Sequence, residues 1–234
     1  DMVARYGGPT WFRLGDRDLG TNLLRTAWLR EGASLTEVTS RLSAALGVAH
    51  PVLPMTDDPV ATCLETDRGV LAFQEYFVRE RWQPVVRRIW FEGAANAQPS
   101  EAVIEALRAA TLIIFGPSNP MLSIAPILAV GGIRQMIAES SAPCIAVSPI
   151  IGGKAVKGPA AKLLSELGME ASPVGVARYY QELLDGILLD DTDKALCQEI
   201  ETLGVRATAC QILMKTQADK IDLVEALLKW AEGL

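Results

Sequence analysis

Histidine is almost absent from this 234-residue chain, with His50 the only one. That excludes most metalloenzyme schemes and any metal centre that needs two imidazoles. A Ser-His-Asp triad would have to use His50, which stands before Pro51 in an apparent loop, where an ordinary loop histidine is the simpler reading. The four cysteines, Cys63, Cys144, Cys197 and Cys210, lie far apart and form no C-x-x-C pair. They read as reduced, mostly buried thiols of a cytoplasmic protein. Positive charge is not in surplus either: 22 Lys and Arg against 28 Asp and Glu leave a net charge of −6, with no basic stripe, which argues against nucleic acid as a partner. No apolar run approaches the roughly 18 residues of a membrane span, and the opening Asp1-Met2-Val3-Ala4-Arg5 is not a signal peptide. Neither the G-x-x-x-x-G-K-[ST] order nor a G-x-G-x-x-G fingerprint occurs. Chemistry is left to carboxylates, backbone amides, lysines and arginines, with room for a hard cation.

Against these absences stands an ordinary globular balance, 50% hydrophobic and 21% charged. The length suffices for one large domain, or one domain with a helical insertion. The stretch from Thr111 to Ser123 organises the chain. Thr111–Phe115 is a short, mostly β-branched or aromatic run that reads as a buried strand. It stops at Gly116-Pro117-Ser118-Asn119-Pro120, where Asn119 suits a helix N-cap and Pro120 its first position. A strand, a small polar loop and a helix N-terminus present backbone N–H groups and the positive end of a helix dipole to phosphate or carboxylate. An ordinary βα turn is the plainer alternative.

A second loop of the same kind follows the predicted strand Pro143–Val147. It runs Ser148-Pro149-Ile150-Ile151-Gly152-Gly153-Lys154-Ala155-Val156-Lys157-Gly158-Pro159 and enters a helix over Ala160–Leu167. Gly152-Gly153 lets a ligand approach the backbone, and Lys154 and Lys157 supply positive charge. Earlier in the chain, Leu14-Gly15-Asp16-Arg17-Asp18-Leu19-Gly20-Thr21 reads as a turn with two acids around an arginine. The helix after it carries Leu19, Leu23, Leu24, Ala27 and Trp28 on one face. Ser34-Leu35-Thr36-Glu37 is a capping box opening a second helix, with Leu35, Val38, Leu42, Ala45 and Leu46 inward. Met55-Thr56-Asp57-Asp58-Pro59-Val60 is a second acidic turn, either simple turn initiation before proline or a carboxylate pair for a cation or polar ligand. Strand patterns follow over 69–77 and 85–91, then a helix over 101–110, strands over 186–190 and 206–211, and helices over 195–203 and 222–230. Strand and helix alternation with apolar strands predicts an α/β protein, a Rossmann-like parallel sheet with helices on both faces and a small helical insertion. Residues 1–84 carry the insertion and 85–234 the core, as one continuous domain. Ligands of such sheets sit outside the carboxyl ends of the strands, where both glycine- and serine-containing loops belong.

Four stretches in this order, 14–19, 53–60 (Leu53-Pro54-Met55-Thr56-Asp57-Asp58-Pro59-Val60), 116–120 and 148–159, resemble the 2-phospho-L-lactate transferase family. Gly175-Val176-Ala177 and the region of Tyr179 look like that family too, and the resemblance covers essentially the whole chain. It implies a role in building the deazaflavin coenzyme F-420. Members move a phospholactyl or phosphoenolpyruvyl group from a guanosine diphosphate-activated donor to the terminal ribityl hydroxyl of the deazaflavin Fo, with GMP leaving and magnesium assisting. Such proteins tend to be dimers. The family usually begins with a strand, a glycine-rich turn and an acidic stretch holding metal-binding aspartates, and nothing before Asp1 supplies these. The chain therefore reads as N-terminally truncated or as one part of a split protein, with the magnesium ligands expected outside it.

Carried onto this sequence, the resemblance places the guanosine diphosphate moiety over Gly116, Pro117, Ser118, Asn119 and Ser123 and over Ser148, Gly152, Gly153, Lys154 and Lys157. Arg17, with Asp16, Asp18 and Thr21, is expected to hold Fo. Asp57 and Asp58 are the candidate catalytic pair, helping with a cation or activating the hydroxyl. Two other readings compete: a metabolic regulator that binds uridine diphosphate sugars on a similar sheet without transfer chemistry, and an inactive fragment. The acidic turn at 15–18 and the 54–59 motif favour the transferase.

Overall fold

A computed structural model describes residues 2–234. After a short helix, α1 (Met2–Arg5), come two longer ones, α2 (Asp16–Arg30) and α3 (Leu35–Ala45). The predicted capping box opens α3: Ser34 Oγ accepts from Glu37 N at 3.1 Å and Glu37 Oε2 accepts from Ser34 N at 2.8 Å. Asp16 to Thr21, expected in a turn, form the first turns of α2 instead, where Asp16 and Asp18 complement the positive end of its dipole. The apolar face of α2 stays largely uncovered: Leu19, Leu23 and Leu24 are 49%, 63% and 50% exposed. On α3 only Val38 is buried, and Leu46 is exposed. The physical reason is a lack of partners, since α2 packs mainly on α3 and beside the 54–60 loop.

The next three strands, β1 (Ala61–Thr66), β2 (Gly69–Ala72) and β3 (Val86–Glu92), make an antiparallel sheet of order β2-β1-β3. Cys63 lies opposite Ala72 in one pair and opposite Trp90 in the other. β1 had no counterpart in the sequence reading. The strand pattern expected to reach residue 77 ends at Ala72, and the chain coils into a π-helical turn over Glu75–Arg79. This sheet holds residues on both sides of position 84 and is separate from the parallel sheet.

The remainder alternates as predicted. In order come α4 (Glu101–Ala109), β4 (Ile113–Phe115), a π-helical turn (Pro120–Ile124), α5 (Ala125–Ala129), α6 (Ile133–Ala138) and β5 (Cys144–Val147). A hairpin of β6 (Ile150–Ile151) and β7 (Lys154–Ala155) follows, then α7 (Ala160–Glu166), α8 (Pro173–Tyr180), β8 (Gly186–Asp190), α9 (Cys197–Glu201), β9 (Arg206–Cys210) and α10 (Gln217–Ala231). β4, β5, β8 and β9 form one parallel sheet in that order. Its central strands β5 and β8 are buried at every position, as expected for strands covered on both faces.

Strand alternation divides the core in two. Ile113, Phe115, Cys144, Ala146, Ile187 and Leu189 face one way, onto side chains of α6, α7, α8 and α9. Ile145, Val147 and Leu188 face the other way, onto Leu223, Leu227 and Trp230 of α10. Helices therefore cover both faces. Ile114, on the α10 side of the edge strand β4, lies beyond that cover and is 45% exposed.

Candidate functional site at the carboxyl edge of the sheet

The carboxyl ends of β4, β5 and β9 converge on a cavity of about 220 Å³. Its lining comes from the loop after β4 (Pro117, Asn119), the segment after β5 (Ser148, Pro149, Ile151, Val156, Lys157, Ala160) and the loop after β9 (Ile212, Leu213, Met214). The two loops singled out in the sequence thus meet around one space, joined by a third that the sequence reading did not single out.

Asn119 is the predicted N-cap: its Oδ1 accepts from Met121 N at 3.0 Å and Leu122 N at 3.1 Å. The next amide, Ser123 N, donates to the Asn119 carbonyl at 2.9 Å. The amides expected to greet an anion at this terminus are therefore engaged within the turn. The Nδ2 group of Asn119 is buried and has no hydrogen-bond partner. Gly116, Pro117 and Ser118 are exposed, and Ser123 is half-buried.

Ser148 is buried and closes a turn on itself, donating to the Ile150 carbonyl at 2.9 Å and accepting from Ile150 N at 3.1 Å. Gly152 and Gly153 both have left-handed backbone, φ 55° and 73°, and link β6 to β7 as a two-residue turn. Both φ values being positive is what a type I′ hairpin requires, and that accounts for the glycine pair without a ligand. Gly152 N donates to Asp193 Oδ2 at 2.9 Å. Lys154 and Lys157 are exposed, and Lys157 lines the cavity. Behind the loop, Gly158 lies against the Phe77 ring, which stacks on Phe73 and tilts against Trp82.

Two buried acids, Asp190 and Asp193, stand under this edge. Asp190 Oδ1 accepts from Thr192 N at 3.1 Å and Thr192 Oγ1 at 2.7 Å, and its Oδ2 accepts from Ile212 N at 3.4 Å. Burial pushes its carboxyl up, but these hydrogen bonds together outweigh it and hold the group below its ordinary value. Sequence reading missed both acids. The available signal was the Asp190-Asp191-Thr192-Asp193 run directly after a buried strand.

Asp16, Arg17, Asp18 and Thr21 lie on the exposed first turns of α2, away from the cavity lining. Thr21 Oγ1 donates to the Arg17 carbonyl at 3.1 Å. No ion pair among the described residues involves Arg17 or its flanking acids. Asp57 and Asp58 also stay outside the cavity, lining a groove with Arg25 and Leu29 of α2. Each ties the chain together: Asp57 Oδ1 accepts from Thr36 N in the first turn of α3 at 2.6 Å, and Asp58 Oδ2 accepts from Gln98 N at 3.0 Å. Among the described residues no three His, Cys, Asp or Glu side chains gather into a metal-binding group. Asp57 and Asp58, each with one oxygen held by a different backbone amide, do not by themselves make a magnesium site.

A further tie went unread in the sequence. Lys162 Nζ on α7 reaches Glu166 Oε1 at 2.6 Å and the Pro84 carbonyl at 2.7 Å, and Glu166 Oε2 accepts from Val86 N at 2.9 Å. The i,i+4 spacing was its only trace. No helix among the described residues is long and apolar enough to cross a membrane, and Cys63, Cys144, Cys197 and Cys210 are unpaired.

A parallel sheet covered on both faces, with its loops closing a cavity at the carboxyl edge, defines an α/β protein of the Rossmann-like class. A crystal structure of a UPF0052-family protein from Bacillus halodurans has the same fold, with a TM-score of 0.61 at 20% identity over 94% of this chain and 75% of that one. The sequence profile described as 2-phospho-L-lactate transferase CofD matches residues 3–227. The 2-phospho-L-lactate transferase of Methanosarcina mazei is 40% identical over 229 residues, covering 98% of this chain and 75% of the relative. The phosphoenolpyruvate transferase of Streptomyces griseus is 43% identical over 220 residues, covering 92% and 69%. The chain belongs to the 2-phospho-L-lactate transferase family, and so to a family of transferases.

Proposed function

We propose that this chain is a transferase of coenzyme F-420 biosynthesis, moving a phospholactyl or phosphoenolpyruvyl group from a guanosine diphosphate-linked donor to the ribityl hydroxyl of Fo. The observation that carries the reading is the convergence of the 116–119 and 148–157 loops on one cavity with Lys157 in its wall, in a chain of this family. The hydroxyl oxygen attacks the phosphorus that bears the lactyl or enolpyruvyl group. The bond from that phosphorus to the bridging oxygen breaks, GMP departs with the electron pair, and the hydroxyl proton passes to solvent. A phosphate monoester with a second pKa of about 6 leaves without a strong general acid, so positioning and charge neutralisation are the main demands. A chain with one histidine meets those demands with Lys154 and Lys157. In this reading Arg17, Asp16, Asp18 and Thr21 face Fo, and Asp57 and Asp58 support the acceptor side by fixing α3 and the 96–98 turn. Magnesium, when bound, would supply further charge neutralisation for the donor's diphosphate. A homodimer and a cytoplasmic location belong to the same reading.

The test is titration of Fo fluorescence with GDP and magnesium present, followed by turnover of a GDP-linked lactate or enolpyruvate donor, with a uridine diphosphate sugar in parallel. Saturable Fo binding strengthened by GDP, with GMP released, is the expected result. Tight uridine diphosphate sugar binding without Fo binding would replace the transferase with a regulator.

A further inference from the structure

The glycine turn at 152–153 offers a backbone amide at the edge of the site, and the chain itself takes it. Gly152 N donates to Oδ2 of Asp193, 41 positions further on, at 2.9 Å. Asp193 is buried. It belongs to the single helical turn Asp191–Leu196 that leaves β8, and Asp190 fixes the start of that turn by accepting from Thr192 N and Thr192 Oγ1. A carboxylate held this way makes a charge-assisted bond, stronger than one between neutral groups.

What the bond holds is a hairpin too small to hold itself. β6 and β7 have two residues each, and an isolated hairpin is marginal even when longer. Its base is anchored, because Ile150 is fully buried and Ser148 closes a turn onto it. Its tip is a pair of glycines with no side chains to pack. Apart from the Ser148 turn, no other hydrogen bond among the described residues ties 150–155 to the rest of the chain. From β7 the backbone runs straight into Val156 and Lys157, which line the cavity. Where the tip sits therefore sets where that wall and its ammonium sit.

We infer that Asp193 is a positioning residue of the candidate site: its carboxylate fixes the Gly152 turn and so keeps the Val156–Lys157 wall formed before the donor arrives. Without that bond, donor binding has to order the hairpin as well. Affinity then falls, while the bound state reacts as before. The inference rests on the transferase reading for the identity of the ligand and adds what keeps its site in shape.

The test combines amide hydrogen exchange, calorimetric GDP binding and steady-state kinetics on the full chain and on Asp193→Ala, Asp193→Asn and Asp191→Ala. Asparagine keeps an oxygen for the Gly152 amide, and Asp191 is an exposed neighbour on the same turn. In Asp193→Ala, exchange at Gly152 and Lys154 is expected to rise about tenfold while the amides of β8 hold. The GDP dissociation constant and the donor KM are expected to rise about tenfold, with kcat at saturating donor and Fo affinity within about twofold. Asp193→Asn and Asp191→Ala are expected to stay close to the wild type in every readout. A merely structural role would lower the melting temperature and leave GDP binding to the folded protein unchanged. Unchanged exchange at Gly152, unchanged GDP affinity and donor KM, a fall in kcat alone, or an Asp193→Asn as weak as Asp193→Ala would each overturn the assignment. GDP binding and donor turnover that ignore Asp193 sink this inference alone. Exchange and GDP affinity that follow Asp193, in a chain that neither binds Fo nor turns over donor, sink the transferase reading alone.

Discussion

Single residues set how closely the segments of this protein approach one another, and Gly175 shows it most sharply. A Cβ at this position would clash with the Glu170 carbonyl oxygen, inside the buried first turn of α8, where Ser172 Oγ already caps the Gly175 amide at 3.1 Å. Backbone cannot yield as a flexible side chain can. Gly175→Ala is therefore expected to cost about 3 kcal/mol, read as a shift in the urea midpoint with unchanged slope. The sequence shows Gly175-Val176-Ala177 as a motif but not its reason, because Glu170 becomes a neighbour only when the chain turns into α8. Lys154 and Lys157 were legible, since charge beside a glycine turn marks a loop. The roles of Asp57 and Asp58 were not, because their amide partners, Thr36 and Gln98, lie 21 and 40 positions away. The unpaired Nδ2 of Asn119 shows only once the turn around it is packed.

At the scale of elements, sequence periodicity located the parallel strands well and the amphipathic helices poorly. β8 falls at 186–190 as predicted because a fully buried strand is apolar at every position. For α2 the sequence shows an apolar face, yet periodicity names a face without naming what covers it, and Leu23 is 63% exposed. The same logic separates two strand residues. Leu188→Ala, fully buried against α10, is expected to lose about 2–5 kcal/mol. Ile114→Ser, on the uncovered part of the same face, is expected to lose about 1 kcal/mol or less. Both are read by chemical denaturation. The Lys162–Glu166 pair joins α7 to the antiparallel sheet, and the carboxylate also holds Val86 N. Glu166→Ala leaves the Lys162 ammonium with the Pro84 carbonyl but no carboxylate, and the Val86 amide without its side-chain acceptor, and is expected to cost about 2 kcal/mol. Hydrogen exchange at the Val86 amide should rise more than at the amides of β8.

For the whole molecule, the two-faced core and the ligand edge meet at Asp190. It ends the central strand β8, and its Oδ2 holds the amide of Ile212, a residue that both packs against α10's layer and lines the cavity. Burial raises its carboxyl and is outweighed by the bonds from Thr192 and Ile212, so the folded value lies below the ordinary 3.8. A depressed folded value means that the carboxylate form is favoured by folding. Its contribution is present in full above the unfolded value and is lost as pH falls through the folded one. Asp219 Oδ2 accepts from Thr216 N and Lys215 N at 2.7 Å, and its carboxyl is lowered by them in the same direction at the start of α10. Both groups act on the α10 side of the sheet, so acid should loosen that layer and the cavity together. Urea midpoints measured from pH 7 downward are expected to hold level to about pH 5 and to fall below about pH 4. Asp190→Asn keeps the shape and an acceptor for one set of donors but removes the titrating charge. It should start less stable at pH 7 and show a shallower acid slope, with the two curves converging at low pH. Parallel curves over the whole range would mean that Asp190 does not link the edge of the sheet to the stability of the fold.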